Sequence, residues 1–587
     1  MLAGNILPPL LEAISPNETP SKLLVATLRT LNQIVDAVAQ EKPWTDSFDG
    51  PLRSPLSISV HEQIYTKPVI ETFAQILAQT LPSTTVQQQI SWTAKLIIKT
   101  CREEDQRKIL LDAGVLDLLA TKLATIAAMD EQSQRAENAC SAREEPPLPY
   151  LSDIMEAIAA IIRDSYFNMA RFLYSQPIQQ LFGWPKGGTI GSYEGYSTSS
   201  SPTTSWDRLI PRLQTIQSKS DSYTKSWPAL GTFNSAGSSD SYRLPSVETL
   251  QPNSSRTIIT DESENPLFIW LMFVARRGEG RERLSACWLL ALLKKFGEKW
   301  PMNDPTRTTR ERHFSYLVVP LIVKMIQEAN PMSDQSRKII SLSPQAREEN
   351  MFVLERSPLV LAEIVMGNKA LQNAAVDAKI LPVLIQILKK SFDPVVTSSK
   401  PLWQPRSSSP QARDPMIDTA SSTLGRSGLS PEILHAFKYR ESALLALAAM
   451  ADSQDPLRKT IIEIGAATYI IDSLVPFDRS SSRQNASPTA AKDGNPAPVL
   501  IAACKVTRSL SRSISVLRTS LIDHGIAQPS FDLLTHPNVK VQIAATEVIT
   551  NLVLEVSPMR TVGSFFYPRF DFRQHLKCPE VSLLTNC

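Results

Sequence analysis

Four stretches of this chain superpose on one another, and that self-similarity restricts its fold more than any other property of the sequence. They are RKILLDAGVLDLLATKL (107–123), QNAAVDAKILPVLIQIL (372–388), RKTIIEIGAATYIIDSL (458–474) and RTSLIDHGIAQPSFDLL (518–534). Aligned on Gly114, Lys379, Gly465 and Gly525, each has Arg or Gln seven residues earlier: Arg107, Gln372, Arg458 and Arg518. Each has an acid two residues earlier (Asp112, Asp377, Glu463, Asp523) and a leucine nine residues later (Leu123, Leu388, Leu474, Leu534). Apolar pairs precede the turn at Leu110–Leu111, Ala375–Val376, Ile461–Ile462 and Leu521–Ile522.

Each column has a physical task. The turn position ends a helix in left-handed geometry, which glycine adopts at little cost. The apolar columns lie on faces that must meet neighbouring helices. A further apolar column, Ile364, Met450 and Leu510, falls on the preceding helix. The unit therefore reads helix, short link, helix, turn, long helix, and units of this kind share one core by stacking. The spacing from Lys379 to Gly465 is about 86 residues, and from Gly465 to Gly525 about 60; without Ser/Pro-rich inserts both shrink to roughly 40–42, the HEAT and armadillo range. Further helices of the same kind are expected at 22–38, 154–164, 283–296 and 315–326, and 537–555 opens another unit through Ala544–Ala545, Val548 and Asn551–Leu552. The expected fold is all-α: an armadillo/HEAT-like right-handed superhelical solenoid with long disordered inserts.

Between the helical blocks the apolar content is too low to offset the entropy of ordering. The resulting division is N-terminal repeats over 1–128, a charged linker at 129–149, a helical segment at 150–182 and a Ser/Gly/Pro-rich insert at 183–260. Repeats follow over 261–392, then an insert (393–430), a repeat (431–475), an insert (476–497), repeats (498–560) and an atypical tail (561–587). SSSP (407–410) and ASP (486–488) are candidate phosphorylation sites. The tail carries Phe565, Phe566, Tyr567, Phe570 and Phe572 with neither helical spacing nor a glycine turn. It reads as an alternative or artefactual terminus, such as a translated intron. Transcript sequencing across Arg560–Thr561 tests this, and a continuous exon through Cys587 sinks it.

Composition narrows the chemistry. With 61 basic and 58 acidic residues the net charge is +3, which gives no reason to invoke nucleic acid or an anionic membrane. The six cysteines are scattered without CxxC spacing, as expected of a reducing compartment. The N-terminal MLAGNILPPLLEAI is a poor signal peptide. The most apolar run, Pro266–Ala275, covers about ten residues where a spanning helix needs roughly 20. Cytoplasm or nucleus is the expected location. GGTIG (187–191) lacks a preceding strand and the Lys-Ser/Thr of a phosphate loop. No histidine pair has metal-ligand spacing, no GxSxG occurs, and Cys504 reads as a small core residue. The chain is expected to be no enzyme and to use no cofactor, metal or small-molecule substrate. Lys505, Arg508 and Arg512 share one helix face, with Arg518 nearby. They form either a solvated stripe or a basic strip for an acidic protein surface. ARRGEGRERL (275–284), with four arginines, reads as a solvated linker.

The segment VLIAACKVTRSLSRSISVLRTSLIDHGIAQPSFDLLTHPNVKVQIAATEVITNLVLEVSPMR (499–560) resembles the armadillo repeat-containing protein 8 family in its fungal form. RSLSRSISVLRTS (508–520) and NLVLEVSP (551–558) carry it most specifically; 283–296 and 357–390 agree more loosely. The resemblance implies a non-catalytic scaffold subunit of the GID/CTLH ubiquitin ligase, linking core proteins to a receptor for N-terminal degrons. It implies core docking by the N-terminal repeats and receptor binding by C-terminal ones. This chain departs from the family pattern at Arg560. The alternative is an armadillo adaptor in nuclear transport or signalling. An importin-like adaptor would need a Trp-x-x-x-Asn ladder, but Trp92 is followed by Leu96.

Overall fold

The structure, a computed structural model, describes residues 6–14, 19–40, 55–80, 83–137, 150–182, 266–297, 306–333, 343–394, 431–477, 494–512 and 516–552. The insert 183–260, most of the inserts 393–430 and 476–497, and the tail 561–587 lie outside these residues, as do both candidate phosphorylation sites. The chain divides into two compact units, Met1–Ala37 with Pro55–Lys324, and Val38–Ser54 with Met325–Cys587. Among the described residues the secondary structure is helical, apart from one isolated bridge between Pro476 and Asn495. It is an armadillo-like all-α solenoid.

The first unit contains α1 (Leu7–Glu12), α2 (Ser21–Gln40, to Ala37), α3 (Pro55–Ile64), α4 (Lys67–Ala78), α5 (Thr84–Thr100), α6 (Glu104–Asp112) and α7 (Val115–Glu137). It continues with α8 (Leu151–Ile162), α9 (Tyr166–Leu173), α10 (Gln176–Phe182), α11 (Pro266–Arg277), α12 (Gly280–Gly297) and α13 (Thr306–His313). A π turn, Phe314–Val318, leads into α14 (Val319–Ala329), which ends in the second unit. There follow α15 (Pro344–Val365), α16 (Lys369–Asp377), α17 (Ile380–Lys390), α18 (Pro431–Ala451), α19 (Asp455–Glu463) and α20 (Ala466–Ser473). Last come α21 (Ala497–Ser511), α22 (Val516–Asp523), α23 (Ala527–Asp532) with a 3-10 turn, and α24 (Val539–Leu552).

The repeat columns fall where the alignment puts them. Gly114, Gly465 and Gly525 have φ of 71°, 90° and 84°, and Lys379, the non-glycine of the column, has φ 62°. All four are left-handed, the conformation that turns the second helix into the third. Four triplets result: α5–α6–α7, α15–α16–α17, α18–α19–α20 and α21–α22–α23. In the second unit the leading helices stack in series, α18 between α15 and α21, and α21 between α18 and α24. A helix covered on both sides must be apolar nearly all round. Accordingly α21 buries Val499, Leu500, Ala502, Ala503, Cys504, Val506 and Leu510. In the first unit α8 holds the same position between α5 and α12, with Leu151, Ile154, Met155, Ile158, Ile161 and Ile162 enclosed. Full burial of each such chain contributes roughly 1.5–3 kcal/mol.

The expected long third helix appears only once, as α7, which runs to Glu137 and so extends into the stretch read as a charged linker. The others have 11, 8 and 6 residues. Proline is one reason: Pro476 follows α20 and Pro537 follows the turn after α23, removing amides that a continued helix would need. The 275–284 segment is no solvated linker. Gly278 and Glu279 alone separate α11 from α12, and the Arg283 Nε–H donates to the Ala275 carbonyl at 3.1 Å. No single described helix is long and apolar enough to cross a membrane. α16 and α17 reach that composition only together, across a 77° bend, and Leu371, Ala375, Leu384 and Leu388 are buried in the array.

Candidate protein-binding surface

The basic residues singled out in the sequence sit on α21 and α22, and the structure gives them different roles. Lys505 is exposed. Arg508, three residues on, pairs with Glu547 of α24 at 2.9 Å, and its carbonyl accepts from Asn551 Nδ2 at 3.2 Å. Arg512, at the end of α21, pairs with Asp452 just beyond α18. Arg518 lies on α22, and its side chain is outside the described residues. The strip thus presents Lys505 outward, while Arg508 and Arg512 reach the repeats on either side. Half-exposed pairs of this kind contribute modestly, about 0–1 kcal/mol each, and here they register one repeat against the next.

Other polar residues hold the stack from within. Arg458, in the Arg/Gln column, donates from Nε to the Ala451 carbonyl at 2.7 Å and from Nη2 to that of Asp452 at 2.5 Å. It therefore caps the carbonyls that α18 leaves unsatisfied at its end. Arg107 donates from Nη2 to the Arg102 carbonyl in the link after α5, at 3.2 Å. Gln372 instead reaches the next repeat, donating to the Ala449 carbonyl at 2.9 Å. Arg458 and Gln372 thus clamp the end of α18 from its own repeat and from the one before, a task the alignment located without explaining.

Two buried carboxylates tie the centre of the first unit together. Asp153 accepts from Ser91 Oγ at 2.5 Å and lies 3.5 Å from Lys95 of α5. Glu156 accepts from Ser285 Oγ at 2.9 Å, with Arg281 of α12 at 3.9 Å. In the second unit Arg440 of α18 is fully enclosed. It donates to Ser391 Oγ (2.9 Å), the Ser391 carbonyl (2.6 Å) and Asn495 Oδ1 (2.5 Å), and stacks 3.6 Å from the Phe392 ring centroid. Burial pushes its pKa down to about 9, which still leaves it charged at neutral pH.

The thiols are core groups. Burial raises Cys504 to about 12, helped by the Glu547 charge. It raises Cys287 to about 12 and Cys101 to about 11, against the opposing pull of Arg283 and Arg107 respectively. His524 donates from Nδ1 to the Ser520 carbonyl at 2.6 Å, and His536 Nδ1 accepts from the Asn538 amide at 3.1 Å; both serve helix ends. Among the described residues no three His, Cys, Asp or Glu side chains gather as a metal site would require.

Exposed apolar chains mark the remaining surface. Phe167 of α9 and Tyr174, the residue that ends it, lie seven residues apart and are 72% and 62% exposed. Val539 and Ile543, one turn apart on α24, are 58% and 56% exposed. Sequence reading missed both pairs, although their i, i+7 and i, i+4 spacing opposite a buried face was the available signal.

These triplets, with left-handed turns and leading helices stacked in series, define an armadillo-type helical repeat protein, a class built to bind other proteins. No family model matches the chain. It is similar to GID complex subunit 5 of Schizosaccharomyces pombe, 37% identical over 120 residues that make up 20% of this chain and 13% of that protein. Armadillo repeat-containing protein 8 of Xenopus laevis is 30% identical over 132 residues, 22% of this chain and 16% of that one; the Mus musculus protein is 29% identical, over 22% and 17%. Over that stretch, about a fifth of its length, the chain is a relative of the armadillo repeat-containing protein 8 family. The matched stretch spans less than a fifth of these relatives' own length. Among solved structures, a designed armadillo repeat protein in complex with a (KR)4 peptide is 13% identical and covers 50% of this chain and 88% of its own, with a TM-score of 0.28.

Proposed function

We propose that this chain is a non-catalytic scaffold subunit of a GID/CTLH-type ubiquitin ligase, joining the ligase core to a substrate receptor in the cytoplasm or nucleus. The observation that carries the reading is the 37% identity to a protein described as a GID complex subunit. The relatives belong to a scaffold class without catalytic members, and the residues that look most chemical, the buried thiols and carboxylates, are occupied in holding helices together. Its partners in this reading are other protein subunits.

The test is affinity purification of this chain from its native host, with identification of what accompanies it. Recovery of RING and LisH/CTLH-domain proteins together with a receptor is the expected result. Absence of the RING and LisH/CTLH proteins overturns the ligase assignment. Recovery of the core without any receptor removes the linking role and leaves core docking alone.

A further inference from the structure

We infer that Arg440 couples the bases of two inserts, so that opening one base loosens the other. Ser391 and Phe392 close α17, just before the chain enters the insert 393–430. Val475 to Phe477 on one side, and Gly494 with Asn495 on the other, form the base of the insert 476–497. One side chain stands between the two bases. Arg440 donates from Nε and Nη2 to the hydroxyl and carbonyl of Ser391, and from Nη1 to Asn495 Oδ1. Its guanidinium lies over the Phe392 ring and 5.2 Å from the Phe437 centroid. Phe437 in turn meets Phe477 edge-on, with centroids 5.9 Å apart. Asn495 gives its own amide hydrogens to the Asp472 and Val475 carbonyls, and Gly494 packs against the Phe477 backbone too closely for any Cβ.

Burial is what makes this junction transmit. Arg440, Ser391 and Asn495 are each 2% exposed or less, so no water stands ready to replace a lost partner. An enclosed cation that loses a hydrogen-bond acceptor is costly, and bonds within such a network strengthen one another. When either base moves away, the guanidinium loses partners that offset its burial, and its hold on the other base weakens with it. An exposed ion pair would transmit little, because water takes the place of a departed partner. The coupling is reciprocal by linkage: an event that draws on one insert is felt where the other leaves the array.

The experiment is residue-resolved amide hydrogen exchange on the full chain. The readout is the amides of Ser391, Phe392 and Asp393, which bond the carbonyls of Ile387, Lys389 and Lys390 and so report fraying of the first base. The perturbation is Gly494→Ala, which forces the second base apart without touching Arg440 or Ser391. Those three amides should exchange at least about threefold faster, the size of coupling found within one hydrogen-bonded network. In an Arg440→Met background the same substitution should add nothing further. Gly525→Ala strains a left-handed turn away from both bases and should leave the three amides unchanged. Phe477→Ala, which removes the ring against Phe437, is a milder perturbation of the second base and should act as Gly494→Ala does. Circular dichroism confirms that each variant keeps its helices, and Phe477→Ala decides the matter should Gly494→Ala fail to fold. Unchanged exchange at 391–393 in the folded variants overturns the inference. So does equal acceleration by Gly525→Ala, or undiminished acceleration in the Arg440→Met background.

Discussion

Replacing Arg440 by methionine separates what the buried cation contributes from what its burial costs. Methionine keeps the unbranched stem and the contact with Phe392, so the packing loss is small. It leaves the Ser391 carbonyl and Asn495 Oδ1 without the donors that now meet them. Each stranded acceptor costs about 1–3 kcal/mol. Ser391 Oγ keeps a role, since it donates to the Leu388 carbonyl at 2.6 Å. Against this stands the relief of no longer enclosing a charge, which in other proteins reaches about 1–4 kcal/mol. Two stranded acceptors outweigh that relief here, for a net loss of about 1–2 kcal/mol. In urea, with a slope near 3 kcal/mol per molar, the second-unit transition moves down by roughly 0.5 M. Hydrogen exchange should quicken first around Val475 and Asn495, because Asn495 holds the Asp472 and Val475 carbonyls at 2.8 and 2.9 Å. Arg440→Lys should behave like Arg440→Met, since an ammonium cannot reproduce the planar fork. An Arg440→Met protein as stable as the parent, or more so, refutes the reasoning.

The left-handed turns make a paired test. Gly465→Ala meets nothing within 4 Å, so thermal denaturation should show only the backbone cost of about 1 kcal/mol, whereas Lys379→Gly should be neutral or stabilising by up to about 1 kcal/mol. Arg458→Met uncaps α18 and should cost about 1–2 kcal/mol by urea titration. For the thiols, the raised native pKa of Cys504 and Cys287 means the folded state holds protons that the unfolded state releases. Stability is then undiminished below about pH 9 and declines as pH rises toward about 12, which equilibrium unfolding across that range checks. At pH 8 these thiols should react with a thiol reagent only as fast as the chain unfolds. A burst of labelling in native protein contradicts their burial.

The features legible from residues alone were those encoded within one repeat. Lys379 shows this well: nothing in its own chemistry indicates a left-handed turn, but its place in the Gly114, Gly465, Gly525 column does. What stayed hidden depends on residues far apart in sequence. Arg508 and Arg512 looked like one stripe because their partners, Glu547 and Asp452, sit on other repeats. Arg440 attracted no notice inside FKYRESALL, where an arginine beside a glutamate suggests a solvated helix; its enclosure comes from Phe392, Ser391 and Asn495, which long stretches of sequence separate from it. The lengths of the third helices were overestimated because the leucine column at Leu474 and Leu534 continues the apolar spacing past the point where the backbone turns away.

The neck at Phe477 and Gly494 carries one further consequence. A Cβ on Gly494 would come within 2.5 Å of the Phe477 Cα, so residues on the two sides of an insert touch, and Asn495 bridges to Pro476. Whatever lies between them leaves and rejoins the array at one point, so its length is decoupled from the spacing of the repeats. Doubling such an excursion costs only about 0.6 kcal/mol of closure entropy. Insertions and deletions there are nearly invisible to the fold. The chain can therefore drift in length at this point over evolutionary time while α20 and α21 keep their register.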